Sequence, residues 1–95
     1  MQRDTPFRLK GEHTGLDTVM YGCSINGILA QTLPVTALVN GIIEFPFPSG
    51  LPKGSYTLAA VALNDLSESS PPAELTVVFA ARVPPAIINL QIVVG

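Results

Sequence analysis

The eight residues Leu51-Pro52-Lys53-Gly54-Ser55-Tyr56-Thr57-Leu58 constrain this chain more than any other stretch. A Pro-Gly turn delivers a tyrosine to the head of an apolar run that continues through Ala59-Ala60-Val61-Ala62-Leu63-Asn64. In a β-sandwich this is a corner: the ring enters the core while the hydroxyl bonds backbone a few residues upstream. The expected architecture is all-β. The motif says nothing about chemistry.

The remaining residues agree with that architecture. Nine Pro, eight Gly and many Val, Ile and Thr interrupt any 3.6-residue pattern. Short apolar runs bounded by turn residues take its place. Residues 7–10 put Phe7 and Leu9 on one face, Arg8 and Lys10 on the other. Residues 18–25 put Val19, Tyr21, Cys23 and Ile25 on one face and end at Asn26-Gly27. That dipeptide predicts a hairpin, because both turn positions favour positive φ. Residues 28–33 read as the return strand. Residues 34–41 form a connection with a second Asn-Gly and room for a short edge strand. Pro46 and Pro48 confine the strand at 42–47 to an edge or a strand end. After the corner strand at 56–64, residues 65–73 are a polar loop. Residues 74–79 close the sandwich with Leu75, Val77 and Phe79 on one face.

From about residue 15 to residue 79 this order of parts resembles a fibronectin type III module, an immunoglobulin-like sandwich. Thr18-Val19-Met20-Tyr21-Gly22-Cys23-Ser24-Ile25-Asn26-Gly27 matches strand C and its turn. Residues 42–47 match strand E, 51–56 the tyrosine corner, 56–64 strand F, 65–72 the F–G loop and 74–79 strand G. The resemblance implies an antiparallel β-sandwich of about seven strands over residues 1–82. Two departures stand out. The chain has no Trp, though such modules commonly carry one on strand B, and its N-terminal part is too short for strands A and B together.

A segment at the other end, Val83-Pro84-Pro85-Ala86-Ile87-Ile88-Asn89-Leu90-Gln91-Ile92-Val93-Val94, is similar to the Pro-rich lead and first strand that open such a module. Ile88, Leu90, Ile92 and Val94 share one apolar face; Asn89 and Gln91 share the other. Residues 83–95 therefore read as a Pro-led terminal strand or tail. Strand G of a standard module ends at the pole opposite the start of strand A. The seven residues 80–86 reach at most ~25 Å, which only just spans a strand of ~17–20 Å. Three placements stay open: on the chain's own sheet in place of strand A, on the sheet of a neighbouring copy, or loose. An unpaired apolar strand is an aggregation hazard, so a partner is expected for it.

The tyrosine also sets the phase of the corner strand. If Tyr56, Leu58, Ala60 and Ala62 face the core, then Thr57, Ala59, Val61 and Leu63 face out. Met20, Gly22 and Ser24 face out beside them by the same phase. A solvated strand face normally carries charged or polar residues. This one is small and apolar, which marks Thr57, Ala59, Val61 and Leu63 as a candidate partner interface, together with Ile88, Leu90, Ile92 and Val94 of the tail. Apolar residues scattered singly over a surface would need no such explanation.

No constellation for catalysis is present. His13, the sole His, lies beside Glu12 with no Cys pair that could complete a zinc site, and reads as a surface-loop residue. Cys23 is the sole cysteine, on an inward strand position, and reads as a buried inert thiol. Asp65, Glu68 and Glu74 lack calcium-loop spacing. Gly11, Gly15 and Gly22 form no phosphate-binding fingerprint. A net charge of −2 with few basic residues argues against nucleic acid and anionic membrane as partners. The expectation is a non-enzyme without metal or cofactor. The start, Met1-Gln2-Arg3-Asp4-Thr5-Pro6, lacks the apolar run of a secretion signal, and a lone Cys gives no support to an oxidising compartment.

Modules with this tyrosine-corner tract look similar to those of tailed-bacteriophage virion proteins. That resemblance implies a structural virion protein (capsid decoration or cement, head fibre or tail accessory), made in the host cytoplasm. Its partners would be other capsid or tail proteins and copies of itself in a homo-oligomer, through interfaces of ~800 Å² per partner. The alternative is a binding or adhesion module of a bacterial surface protein or secreted polysaccharide-active protein, which predicts exposed aromatic residues for sugar stacking.

Overall fold

A computed structural model describes residues 1–81 and 83–94; Arg82 and Gly95, at the ends of the two segments drawn from the sequence, lie outside the described residues. Six strands follow one another: β1 (Phe7–Glu12), β2 (Met20–Ile25), β3 (Ile28–Pro34), β4 (Ile42–Phe47), β5 (Gly54–Leu63) and β6 (Ala73–Phe79). They form two antiparallel sheets, a pair β1-β4 and a four-stranded sheet in the order β3-β2-β5-β6. The turn chemistry accounts for the hairpin that opens the larger sheet. Asn26 and Gly27 both have positive φ, 50° and 82°, and the Asn26 Oδ1 accepts the Thr57 N–H at 2.9 Å, tying the turn to β5. The short edge strand expected between 34 and 41 is a single turn of 3-10 helix, Val35–Ala37, followed by one isolated bridge, Val39 to Ile42.

The core lies between the sheets. Ile43, Phe45 and Phe47 of β4 meet Tyr21 and Cys23 of β2, and Leu58 and Phe79 are buried alongside. Phe7 stacks on Phe47 with centroids 4.6 Å apart and planes 5° from parallel. The corner behaves as its residues predict. The Tyr56 hydroxyl donates to the Pro52 carbonyl at 3.0 Å, and the ring meets Phe79 edge-on at 6.0 Å. The outward side of the smaller sheet carries Arg8 and Glu44, paired at 3.2 Å; at such exposure the pair contributes little to stability.

The two sheets are offset in width. On one side β4 sits over β3, where Gln31 Nε2 donates to the Pro46 carbonyl at 2.6 Å. On the other side Phe7 of β1 reaches Phe79 of β6, centroids 5.5 Å apart. Two strands therefore face four. The first residues fill part of the difference. Met1 and Arg3 run parallel to the end of β6, through Met1 amino to Val78 carbonyl (3.0 Å), Ala80 N–H to Met1 carbonyl (2.7 Å) and Arg3 N–H to Ala80 carbonyl (2.9 Å). The described residues thus form six strands where about seven were expected. Among the described residues 83–94 no strand is assigned, and the tail is not paired with its own sandwich.

Candidate docking surfaces

Three surfaces are candidates: the outer face of the four-stranded sheet, the open flank between β1 and β6, and the tail. The outer face follows from strand register. Directly opposite residues share a face, and β2 and β5 pair Met20 with Leu63, Gly22 with Val61 and Ser24 with Ala59. Tyr21, Cys23 and Ile25 pair with Ala62, Ala60 and Leu58 on the core side. Thr57, Ala59, Val61 and Leu63 therefore do lie together on the outward side, each half-buried by its neighbours within the sheet.

Two further residues enlarge this face. A register shift between Cys23 and Ser24 puts Leu29 of β3 opposite Ser24, on the outward side, where it is exposed. It packs beside Gly22 and Val61: a Cβ at position 22 would lie in ordinary contact with Leu29 Cδ1 (3.4 Å) and Val61 Cγ2 (3.5 Å). Val78, opposite Ser55, is also outward and exposed. Leu29 escaped the sequence reading because a bulge changes which alternate residue faces out. Its signal was the adjacent pair Ile28-Leu29, which a strict alternation cannot bury together.

The open flank was not legible from local patterning. Leu75 of β6 lies opposite Leu58 of β5, on the side that faces the smaller sheet. Leu58 is 2% exposed and Leu75 is 56% exposed, because β1 does not extend far enough to cover β6. A cleft of about 200 Å³ opens there, lined mainly by Leu9, Ile43, Phe45, Leu58, Ala60 and Leu75. A second cleft of about 200 Å³ continues along the same flank past Gly11, Tyr21, Ala62 and Ala73.

The tail residues are not brought to either surface. Ile88, Leu90, Ile92 and Val94 are 77%, 90%, 94% and 93% exposed. They are separate from Thr57, Ala59, Val61 and Leu63, so the candidate residues form two groups rather than one patch.

The polar groups with chemical potential have structural employment. His13 is half-buried rather than a free surface residue. Its Nδ1 accepts the Gly15 N–H at 3.0 Å, so the Tyr21 hydroxyl, 2.9 Å away, donates to the same atom. The two rings meet edge to face at 5.3 Å. Burial pushes the Tyr21 phenol and the Cys23 thiol up from their ordinary values, which keeps the thiol from becoming a nucleophilic thiolate near neutrality. A hollow of about 270 Å³ near His13 also reaches Asp17 and Glu68, but the Glu68 Oε1 accepts from Asn64 Nδ2 at 2.9 Å. Among the described residues no group of three His, Cys, Asp or Glu is placed to hold a metal ion.

Neither the known protein families nor the curated proteins yield a sequence match. Among solved structures the chain is similar to the fibronectin(III)-like modules of Clostridium thermocellum CbhA. The TM-score is 0.60 at 12% identity, covering 85% of this chain and 86% of that one. At that identity the likeness is one of fold. The chain is thus an all-β sandwich of fibronectin type III-like architecture, with two antiparallel sheets.

Proposed function

We propose that this chain is a non-catalytic docking module, and that it serves as a structural protein of a tailed-bacteriophage virion, attached to capsid or tail proteins. The observation that carries the docking reading is the outward face of the four-stranded sheet. Met20, Leu29, Ala59, Val61 and Leu63 present apolar side chains where a solvated sheet normally carries charge. An apolar face of this kind suits a protein surface with which it shares a dry contact. The virion setting rests on the resemblance of the tyrosine-corner tract to modules of phage particles.

A second reading is favoured by the fold neighbour, which is described as modules of a bacterial protein: a binding or adhesion module of a bacterial surface or secreted polysaccharide-active protein. The aromatic side chains weigh against it. Tyr21, Phe45, Phe47 and Phe79 are buried, and Phe7 and Tyr56 are half-buried within the sandwich. None forms an exposed platform for stacking on a sugar ring.

Density-gradient fractionation of phage particles, with quantitative mass spectrometry of each fraction, separates the two readings. The virion reading expects the chain to co-sediment with particles at a fixed ratio to a capsid or tail protein. It expects Val61→Lys to release the chain from particles without unfolding it. Absence from particles, with retention of the purified protein on insoluble polysaccharide, would establish the second reading instead.

A further inference from the structure

We infer that the C-terminal tail, residues 87–94, is the strand that completes the smaller sheet of a second copy of this chain. It lies antiparallel along the free edge of β1, with Ile88, Leu90, Ile92 and Val94 in the cleft between Leu9 and Leu75. The inference deepens the docking reading by naming one partner, a copy of the chain itself, and the surface that receives it.

Donor and acceptor match in four respects. The first is chemistry: the tail face is wholly apolar, and the receiving cleft is lined mainly by Leu9, Ile43, Phe45, Leu58, Ala60 and Leu75. The second is backbone. The far edge of β1 has no partner among the described residues, so its N–H and C=O groups can form a ladder with an added strand. The third is length. Residues 88–94 extend for about 20 Å at ~3.3 Å per residue, enough to run the whole open part of β6, which from Ala73 to Val77 covers about 13 Å by the same measure. The fourth is charge. The flank carries Lys10, Glu12 and Glu74, while residues 83–94 carry none, so nothing repels the incoming strand.

Geometry selects a second copy over the chain's own flank. β6 pairs its first residue, Ala73, with Ala60 and its last, Phe79, with Gly54. The chain therefore leaves β6 at the pole where β1 begins, since Phe7 lies over Phe79. An antiparallel partner of β1 must start at the other pole. The direct way back is occupied: Met1 and Arg3 are bonded to the end of β6. Asp4 N–H donates to the Leu51 carbonyl at 2.8 Å, closing that end of the flank. A tail arriving from a neighbour meets no such obstacle. Running antiparallel to β1, it ends beside Met1, in line with the segment that already lies along β6. Donor and acceptor surfaces differ, so the association is heterologous unless two copies exchange tails reciprocally.

The test is the solution mass of the intact chain by size-exclusion chromatography with light scattering, with two single variants. Leu90→Lys spoils the donor, and Leu75→Lys spoils the acceptor. Both positions are outside the core, so each variant keeps the folded sandwich, checked by its far-UV spectrum and unfolding midpoint. The intact chain is expected to be a dimer or larger, and each variant alone a monomer. An equimolar mixture is expected to form a 1:1 pair and no larger species, because it has one intact tail and one intact flank. Three outcomes would overturn the inference: a monomeric intact chain at 100-micromolar concentration, an oligomer that survives both substitutions, or a mixture that stays monomeric. None of these bears on attachment to particles, so failure here and failure of the docking reading remain distinguishable.

Discussion

Tyr56 joins three segments through one side chain. Its hydroxyl holds the Pro52 carbonyl, its ring edge rests against Phe79, and its position sets which residues of β5 face inward. Tyr56→Phe removes the hydroxyl and leaves the packing. The expected loss is about 1 kcal/mol, the usual net worth of one hydrogen bond, read as a lower urea midpoint with an unchanged slope. No loss would mean that the corner bond contributes nothing. The phase set by this residue was legible because the corner admits one orientation of the ring, and the outward placement of Thr57, Ala59, Val61 and Leu63 follows from it. His13 was not legible in the same way. Its partners, Tyr21 and the Gly15 N–H, meet it only once the 13–15 turn packs over β2.

At the scale of elements, the strands were largely legible and their ends less so. Alternation and turn residues predict β1, β2, β3, β4, β5 and β6 to within a few positions, since a half-buried strand must repeat every two residues. The edge strand expected at 34–41 gives way to a 3-10 turn, because Pro34 and the Asn40-Gly41 turn leave too few residues to form a ladder. The connection from β4 to β5 depends on Gly50, which has φ +63° and no space for a side chain: a Cβ would press on the backbone of Asp4 and Thr5. Gly50→Ala is expected to cost about 1–2 kcal/mol for the left-handed backbone alone, with the displaced N-terminal segment adding to it. The variant should therefore unfold at lower urea than Tyr56→Phe. Equal midpoints would show that residues 4–5 yield without cost.

Across the whole molecule, the sandwich encloses two groups that ionise at high pH, Tyr21 and Cys23. Burial raises both above their ordinary values, so between the unfolded and folded values the native chain holds protons that the unfolded chain has released. Their contribution is complete below about pH 8.5, where unfolded Cys begins to ionise, and it declines as pH rises. A second decline begins near pH 10 with unfolded Tyr. The urea midpoint measured from pH 7 to 11 is expected to fall in that order, and Cys23→Ala to remove the earlier phase. A midpoint independent of pH up to 10 would contradict this account.

Local chemistry settled the all-β class, the corner, the hairpin at Asn26-Gly27 and the apolar outer face, because each depends on residues adjacent along one strand or turn. It also set the tail apart, since its alternation is visible without a partner. Only the tertiary structure decided how wide each sheet is. Strand count on either side of the core is a matter of long-range pairing, and no residue of β6 announces whether Leu75 will be covered. The open flank beside β1 arises because residues 1–6 turn at one pole and cover only the end of β6. That geometry, absent from any local pattern, is what leaves an apolar cleft open beside β1.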